Sequence, residues 1–250
     1  MPTLEVVLRT LLGIIALVVV STTVLTVAGV PRRFAPALAI LRGTLQLALL
    51  SVVLSGVITD PRWVALGLAV MLGVAALTSA RRLGGLHRLR LVLPAMLAGA
   101  LLSLAVVFAT SALDLTARYA LALGGIVIGT AMTSATLAGR RTLQAVDDSW
   151  DEIEGWLALG ATPRAATLRI SRHGLHEAVV PTTDQTRTTG LVTLPGAFVG
   201  AIFGGISPLE AGRFQIIVLA SLMATAAVTA SAVAFRLAPA ARKGDAAALP

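Results

Sequence analysis

The sequence predicts an all-α integral membrane protein of about seven transmembrane helices. Its N-terminus is expected outside and its C-terminus in the cytoplasm, with a helix–turn–helix segment exposed on the cytoplasmic side. Three observations carry this expectation. Of 250 residues, 56% are hydrophobic and 13% charged, and mean hydropathy is +0.89, whereas a soluble domain carries about a quarter charged residues. The apolar residues form continuous runs of about 20, the helical length that crosses a hydrocarbon core of about 30 Å, without the period-two alternation of a membrane β-barrel. The basic residues gather on alternate connectors.

The runs place spans over residues 6–30, 35–58, 64–80, 91–113, 119–138, 188–206 and 214–237, in one membrane-spanning domain covering 1–250. The first lacks a basic leader and a small-residue cleavage site, so it reads as a membrane helix and not a removable signal. The third is short and the sixth rich in glycine. Pro31, Pro61 and Pro208 fall in connectors, where a missing backbone N–H costs little.

Orientation follows from the excess of Lys and Arg on cytoplasmic loops. One set of connectors holds Arg32, Arg33, Arg81, Arg82, Arg88, Arg90, Arg140, Arg141, Arg164, Arg169, Arg172, Arg187, Arg236, Arg242 and Lys243, fifteen in all. The other holds four, Arg9, Arg62, Arg118 and Arg213, and Arg42 lies within a span. This asymmetry accounts for most of the formal charge of +8. No aromatic or glycine-patterned nucleic-acid motif accompanies it, so no nucleic-acid partner is expected.

Residues 139–187 are the one long connector, 49 residues. Val146, Trp150, Ile153 and Leu157 recur at helical spacing, flanked by Asp147, Asp148, Asp151, Glu152 and Glu154. A helix is therefore expected to continue out of the fifth span. Gly160 can stop it in the left-handed conformation. Thr162 is a good N-cap and Pro163 suits a first helical position, so a second helix is expected over 163–179, carrying Arg164.

Here a resemblance enters. Glu154-Gly155-Trp156-Leu157-Ala158-Leu159-Gly160 keeps the Glu and Gly spacing of the E-A-A-x-x-x-G loop by which permease subunits of many ABC importers dock on their ATPase, and Ile170 falls where that motif has its Ile. The stretch Pro181-Thr182-Thr183-Asp184-Gln185-Thr186-Arg187-Thr188-Thr189-Gly190-Leu191-Val192-Thr193-Leu194-Pro195-Gly196 closely resembles the signature of the FetB-type permease family. That family includes bacterial iron-export permeases and plant relatives tied to aluminium tolerance. The likeness continues through Gly200, Phe203, Gly205, Ile206 and Pro208 to Gln215, and also takes in Leu159 to Pro163 and Arg42, Gln46 and Leu47. Relatives tend to carry Asn where Thr130 stands.

Several residues inside the spans invite two readings each. Gly196, Gly200 and Gly204 make a double G-x-x-x-G that lets another backbone approach, either a second copy or a neighbouring helix. Pro195 is expected to kink that span. Thr188, Thr189 and Thr193 can satisfy freed backbone groups or line a polar path. Arg42 and Gln46 share a face of the second span. Arg42 either snorkels to the interface or anchors cytoplasmic helices.

The chain has no Cys, so thiolate chemistry is excluded. His87, His173 and His176 all fall in cytoplasmic segments, and two ligands at i, i+3 without a third make a poor metal site. No metal site on the chain is expected. No G-x-x-x-x-G-K-[ST] phosphate loop occurs, and no Ser-His-Asp, H-E-x-x-H or buried carboxylate pair points to catalysis.

What the resemblance implies is the permease subunit of an ABC transporter in the bacterial plasma membrane, exporting iron or another metal ion. The subunit pairs with a second copy, and each copy docks on an ABC ATPase that carries the ATP and Mg. Glu154, Trp156, Gly160, Ala161, Thr162, Pro163 and Arg164 would form the coupling contact. Arg42, Gln46, Thr130, Thr182, Asp184, Thr188, Gly190, Pro195, Gly196, Gly200 and Gly204 would serve translocation or packing. The rival reading is a stand-alone secondary transporter or channel for a small solute.

Overall fold

The computed structural model describes residues 4–29, 31, 33–57 and 60–249. The expected ends of the first two spans at Val30 and Ile58, and Arg32, lie outside them. The described residues are helical, without a strand. Where the sequence reads as one domain, the chain groups into two compact units, residues 1–57 and 58–250.

In the first unit α1 (Leu4–Val27) and α2 (Ala35–Val57) are joined through a turn at Gly29, whose φ of +66° favours glycine. Both helices are apolar on nearly every side and mostly exposed, as helices that face lipid are. Arg42 and Gln46 stand exposed on one face of α2.

The second unit is a bundle of α3 (Pro61–Arg82), α4 (Leu89–Ala109), α5 (Ala117–Asp148) and α10 (Pro208–Leu237), with α10 packed against α4 and α5 and α3 against both of those. Capping sets the helix starts. Asp60 accepts a hydrogen bond from the Arg62 amide at 2.9 Å, Thr116 from Tyr119 at 3.3 Å and Ser207 from Glu210 at 3.3 Å. Pro61 and Pro208, expected in connectors, are instead the first residues of α3 and α10, where the lost N–H would have had no helical partner. The third span is therefore not short, since α3 has 22 residues.

Among the described residues five helical stretches are long and apolar enough to cross a membrane: Leu8–Val27, Pro61–Arg82, Leu86–Ala109, Ala117–Asp148 and Pro208–Leu237. The expected sixth span is not a helix of that kind. Residues 188–206 hold the end of α8 (Leu168–Thr188), a non-helical stretch, and α9 (Gly196–Phe203), which has eight residues. Eight residues rise only about 12 Å. A count of seven would rest on α2 and on this broken segment.

The bundle is held by small residues and hydroxyls, because lipid gives helices little hydrophobic reason to associate. A Cβ built on Gly99 of α4 would collide with the Thr229 hydroxyl and lie 3.0 Å from the Thr225 carbonyl of α10, so the two helices approach closely there. Ser103 and Thr225 share a buried hydrogen bond of 2.8 Å between the same helices, and Ser79 and Thr136 one of 2.8 Å between α3 and α5. Gly139 of α5 receives the buried Leu83, and Gly174 of α8 lies against Thr142. The basic segments around Arg88, Arg164, Arg236 and Arg242 meet at one end of the bundle.

Two outcomes are expected. A single cysteine replacing Leu115, at the opposite end from the basic segments, should react with an impermeant thiol reagent applied to intact cells, and one replacing Leu86 should not; the reverse pattern would invert the orientation. Gly174→Val should lower the yield of folded protein in detergent, because its side chain would overlap Thr142, an overpacking cost of about 1–3 kcal/mol. Gly200→Val, with no atom near the added carbon, should leave the isolated chain as stable as the parent in a thermal unfolding series.

Candidate functional site

The broken segment follows a polar helix, α8, that packs against the bundle. In α10 the charge-free stretch between Arg213 and Arg236 is 22 residues, about 33 Å of helix and close to one hydrocarbon thickness. Met223 lies near its middle. The Thr183 hydroxyl of α8 reaches the Met223 sulfur at 3.9 Å, so residues around 183 lie near mid-depth. The polar helix α8 thus begins at the basic end and runs into the bundle against α5 and α10. Arg187, assigned by sequence to a cytoplasmic connector, follows Thr183 by one turn on this helix. The segment 139–187 is therefore only partly outside the bundle.

On α8 the threonines satisfy themselves. The hydroxyls of Thr183, Thr186, Thr188 and Thr189 donate to the carbonyls of Val179, Thr182, Asp184 and Gln185 at 3.0, 2.8, 2.9 and 2.7 Å. Such back-bonds need no water. Thr182 is half-buried beside them. Pro181 sits inside the helix without an N–H to donate. What remains exposed is an ion pair. Asp184 and Arg187 are 3.9 Å apart, with side chains 60% and 76% exposed. A charge facing hydrocarbon at the centre of a membrane costs about 2.5–3.5 kcal/mol on insertion scales.

Beyond Thr188 the backbone unwinds. Gly190 takes φ of +86° and its amide donates to the Thr193 carbonyl at 2.8 Å, closing a small loop whose Leu191, Val192 and Leu194 are exposed. Pro195 does not kink a span; it precedes α9 as its cap. Gly196 and Gly200 have nothing within 4 Å of an added Cβ, so no neighbouring helix of the described residues packs on that face. Gly204 ends α9, so only two of the three glycines share the helix. Thr130 is half-buried on α5 with its hydroxyl donated to Ile126 at 3.2 Å, and the structure does not bring it together with α8 by any hydrogen bond. At the end away from the basic segments, a cavity of about 480 Å³ opens between the α4–α5 connector, α9 and α10, bordered by Asp114, Arg118, Tyr119, Glu210 and Arg213.

At the basic end the turn forms as expected. α5 continues to Asp148, breaks at Ser149 and resumes as α6 (Trp150–Ala158). Gly160 takes φ of +88°, Thr162 accepts from the Ala165 amide at 3.3 Å, and Pro163 starts α7 (Pro163–Ala166). The second helix is interrupted once, at Thr167, and then runs to Thr188, well past 179. Ile153 packs with Val146, Ala166 and Ile170 and seats the turn on the bundle. Arg169 pairs with Glu152. Trp156 and Leu159 are left exposed, 51% and 81%, with Gly160, Thr162, Pro163 and Arg164 beside them. Glu154 accepts a hydrogen bond from the Trp150 indole at 2.7 Å, which orders the first turn of α6.

Sequence reasoning missed the C-terminal tail. Asp147 accepts the amides of Gly244 and Ala246 at 2.9 and 3.2 Å, Asp245 pairs with Arg88 at 2.9 Å, and Lys243 lies 3.9 Å from Asp151. Two of the five residues of the acidic flank, Asp147 and Asp151, therefore hold the tail against α5 and α6. The signal available was Gly244-Asp245, a turn dipeptide beside the only lysine.

Among the described residues no three of His, Asp and Glu gather as a metal cluster. No solved structure matches the chain. Among curated proteins it is 36% identical over 194 residues to the UPF0014 membrane protein STAR2 of rice, covering 76% of this chain and 68% of that one. It is 32% identical to Protein ALUMINUM SENSITIVE 3 of Arabidopsis thaliana, covering 75% and 70%. With the probable iron export permease protein FetB of Escherichia coli the identity is 34% over 135 residues, 54% and 52% of the two chains. The profile of the Uncharacterised protein family (UPF0014) matches residues 8–240. Nearly the whole chain falls within that match, and the protein belongs to the UPF0014 family of membrane proteins.

Proposed function

We propose that this chain is the membrane-spanning subunit of an ABC transporter that exports iron or another metal ion, paired with a second copy and driven by a separate ATPase. The observation that carries the reading is the exposed turn at Trp156, Leu159 and Gly160. It presents two large apolar side chains at the basic end, yet it is seated on the bundle through Ile153 and the Glu152–Arg169 pair. A soluble partner that grips this turn gains a lever. Movement of α6 and α7 passes through α8 directly to Asp184 and Arg187 at mid-depth, and rigid elements that pivot against one another alternate access. The printed name of the Escherichia coli relative supports the cargo class. Iron here is cargo, passed along polar groups that hold it weakly. ATP and Mg belong to the ATPase. The basic end faces the cytoplasm of a bacterial plasma membrane in this reading, which agrees with the loop charges.

The test is co-purification with a candidate ABC ATPase from the same organism, together with ATP turnover in nanodiscs and the iron content of cells with and without the pair. Gly160→Glu should insert normally, since a side chain at positive φ costs only about 1 kcal/mol or somewhat more, but should abolish capture of the ATPase or its stimulation. Trp156→Ala should weaken capture by about tenfold, the loss of one apolar anchor at an interface. Full stimulation by both variants would remove this turn as the docking site.

A further inference from the structure

The exposed edge of α8 has a pattern that its own bundle does not use. His173, His176, Val180, Asp184 and Arg187 are all exposed, and their spacing of three, four, four and three residues draws one stripe along a helix. The buried face is spent within the unit, with Ile170, Ser171, Gly174 and Ala178 buried, and Thr183, which borders the stripe one turn before Arg187, meets Met223 of α10. Near mid-depth the exposed stripe ends in a carboxylate and a guanidinium. Lipid cannot solvate that pair, and intramembrane charges face other protein or water. Their placement selects between the two. Residues three apart stand about 60° apart around a helix of 3.6 residues per turn, so Asp184 and Arg187 flank the line that runs through Val180. A twofold axis along the membrane normal sets the left flank of one helix against the right flank of its mate. Asp184 of each copy then meets Arg187 of the other, and the same surface complements itself, as an isologous contact requires.

We infer that the α8 edge through Val180, Asp184 and Arg187 is the seam between two copies of this chain, closed by two reciprocal Asp184–Arg187 pairs at mid-depth. The inference rests on the paired-subunit reading above and names the surface that makes the pair. It also gives the open α9 face a different status: Gly196 and Gly200 can lie off the seam without weakening it.

The chain has no cysteine, so Val180→Cys supplies a single reporter for a short thiol-to-thiol cross-linker in native membranes. The reporter chain should give a dimer band. Adding Asp184→Arg, or adding Arg187→Asp, should lower that band by about tenfold or more, since like charges are then opposed across the contact. The decisive arm co-expresses the two variants with different tags. Each then carries two like charges on its own helix, but their flanks complement one another, so the mixed pair should regain the cross-link while neither variant pairs with itself. An ion pair confined to one helix predicts no rescue, and absence of the mixed dimer would overturn the seam. A dimer band unchanged by either single variant would overturn it too, with the paired-subunit reading intact. A wild-type chain that runs as one copy in nanodiscs and cross-links at no position would overturn both.

Discussion

Helices already surrounded by hydrocarbon gain little by exchanging lipid for one another, so this bundle depends on how closely its backbones can approach. The Gly99–Thr229 contact sets that distance for α4 and α10, and the Ser103–Thr225 hydrogen bond fixes their register. Gly139 admits Leu83 between α3 and α5, and Gly174 admits Thr142 between α5 and α8. Each contact pins one helix to the next at a point where a methyl group would push them apart. The order of the chain follows: α10 is held by α4 and α5, and α8 is held by α5 and α10. Because α8 is fixed at Gly174, near the basic end, everything beyond it reaches mid-depth at a set height.

That fixed point explains why a strongly polar helix can enter the bundle at all. The threonines on α8 return their hydroxyls to carbonyls one turn back, so the helix presents few unmet donors despite its sequence. Pro181 and the unwound loop at Gly190 then interrupt a crossing that would otherwise be continuous. Irregular backbone at membrane depth is tolerated where protein or water covers it, and the broken helices of transporters place ion and substrate sites at such interruptions. The break therefore sets the polar groups of α8 beside an interruption of this kind, which is what the transport reading proposed above requires.

The sequence made the helical membrane architecture, the basic end and the coupling turn legible, because each rests on a local signal. Apolar runs report lipid, arginines report the end of a helix, and Gly160 with Thr162 and Pro163 reports a turn whose positive φ and cap the structure contains. The sixth span misled for the opposite reason. Residues 188–206 are apolar enough to pass for a helix, while the true entry into the bundle lies in 168–188, which hydropathy rejects for Arg169, Arg172, Glu177, Asp184 and Arg187. Depth could be read only from a tertiary contact, Thr183 on Met223. The G-x-x-x-G motif was visible, but whether a helix packs on it depends on neighbours, and none lies near Gly196 or Gly200.

The tail adds a constraint that no local pattern announces. Asp147 sits where α5 leaves the bundle, and it closes around the amides of Gly244 and Ala246. Asp245 reaches Arg88 in the α3–α4 connector, with both side chains largely buried. A charge-assisted hydrogen bond sheltered in this way is stronger than an exposed surface pair. The end of α10, the start of α4 and the base of α6 are thus tied at one place, while Trp156 and Leu159 at the tip beyond them carry no such tie. A force applied at that tip would therefore meet a stiff base, and the path of least resistance runs through α7 and the Thr167 interruption into α8. On the reading proposed above, this tied base is the fulcrum of residues 139–187, and recognition of a partner falls to the apolar side chains at the tip.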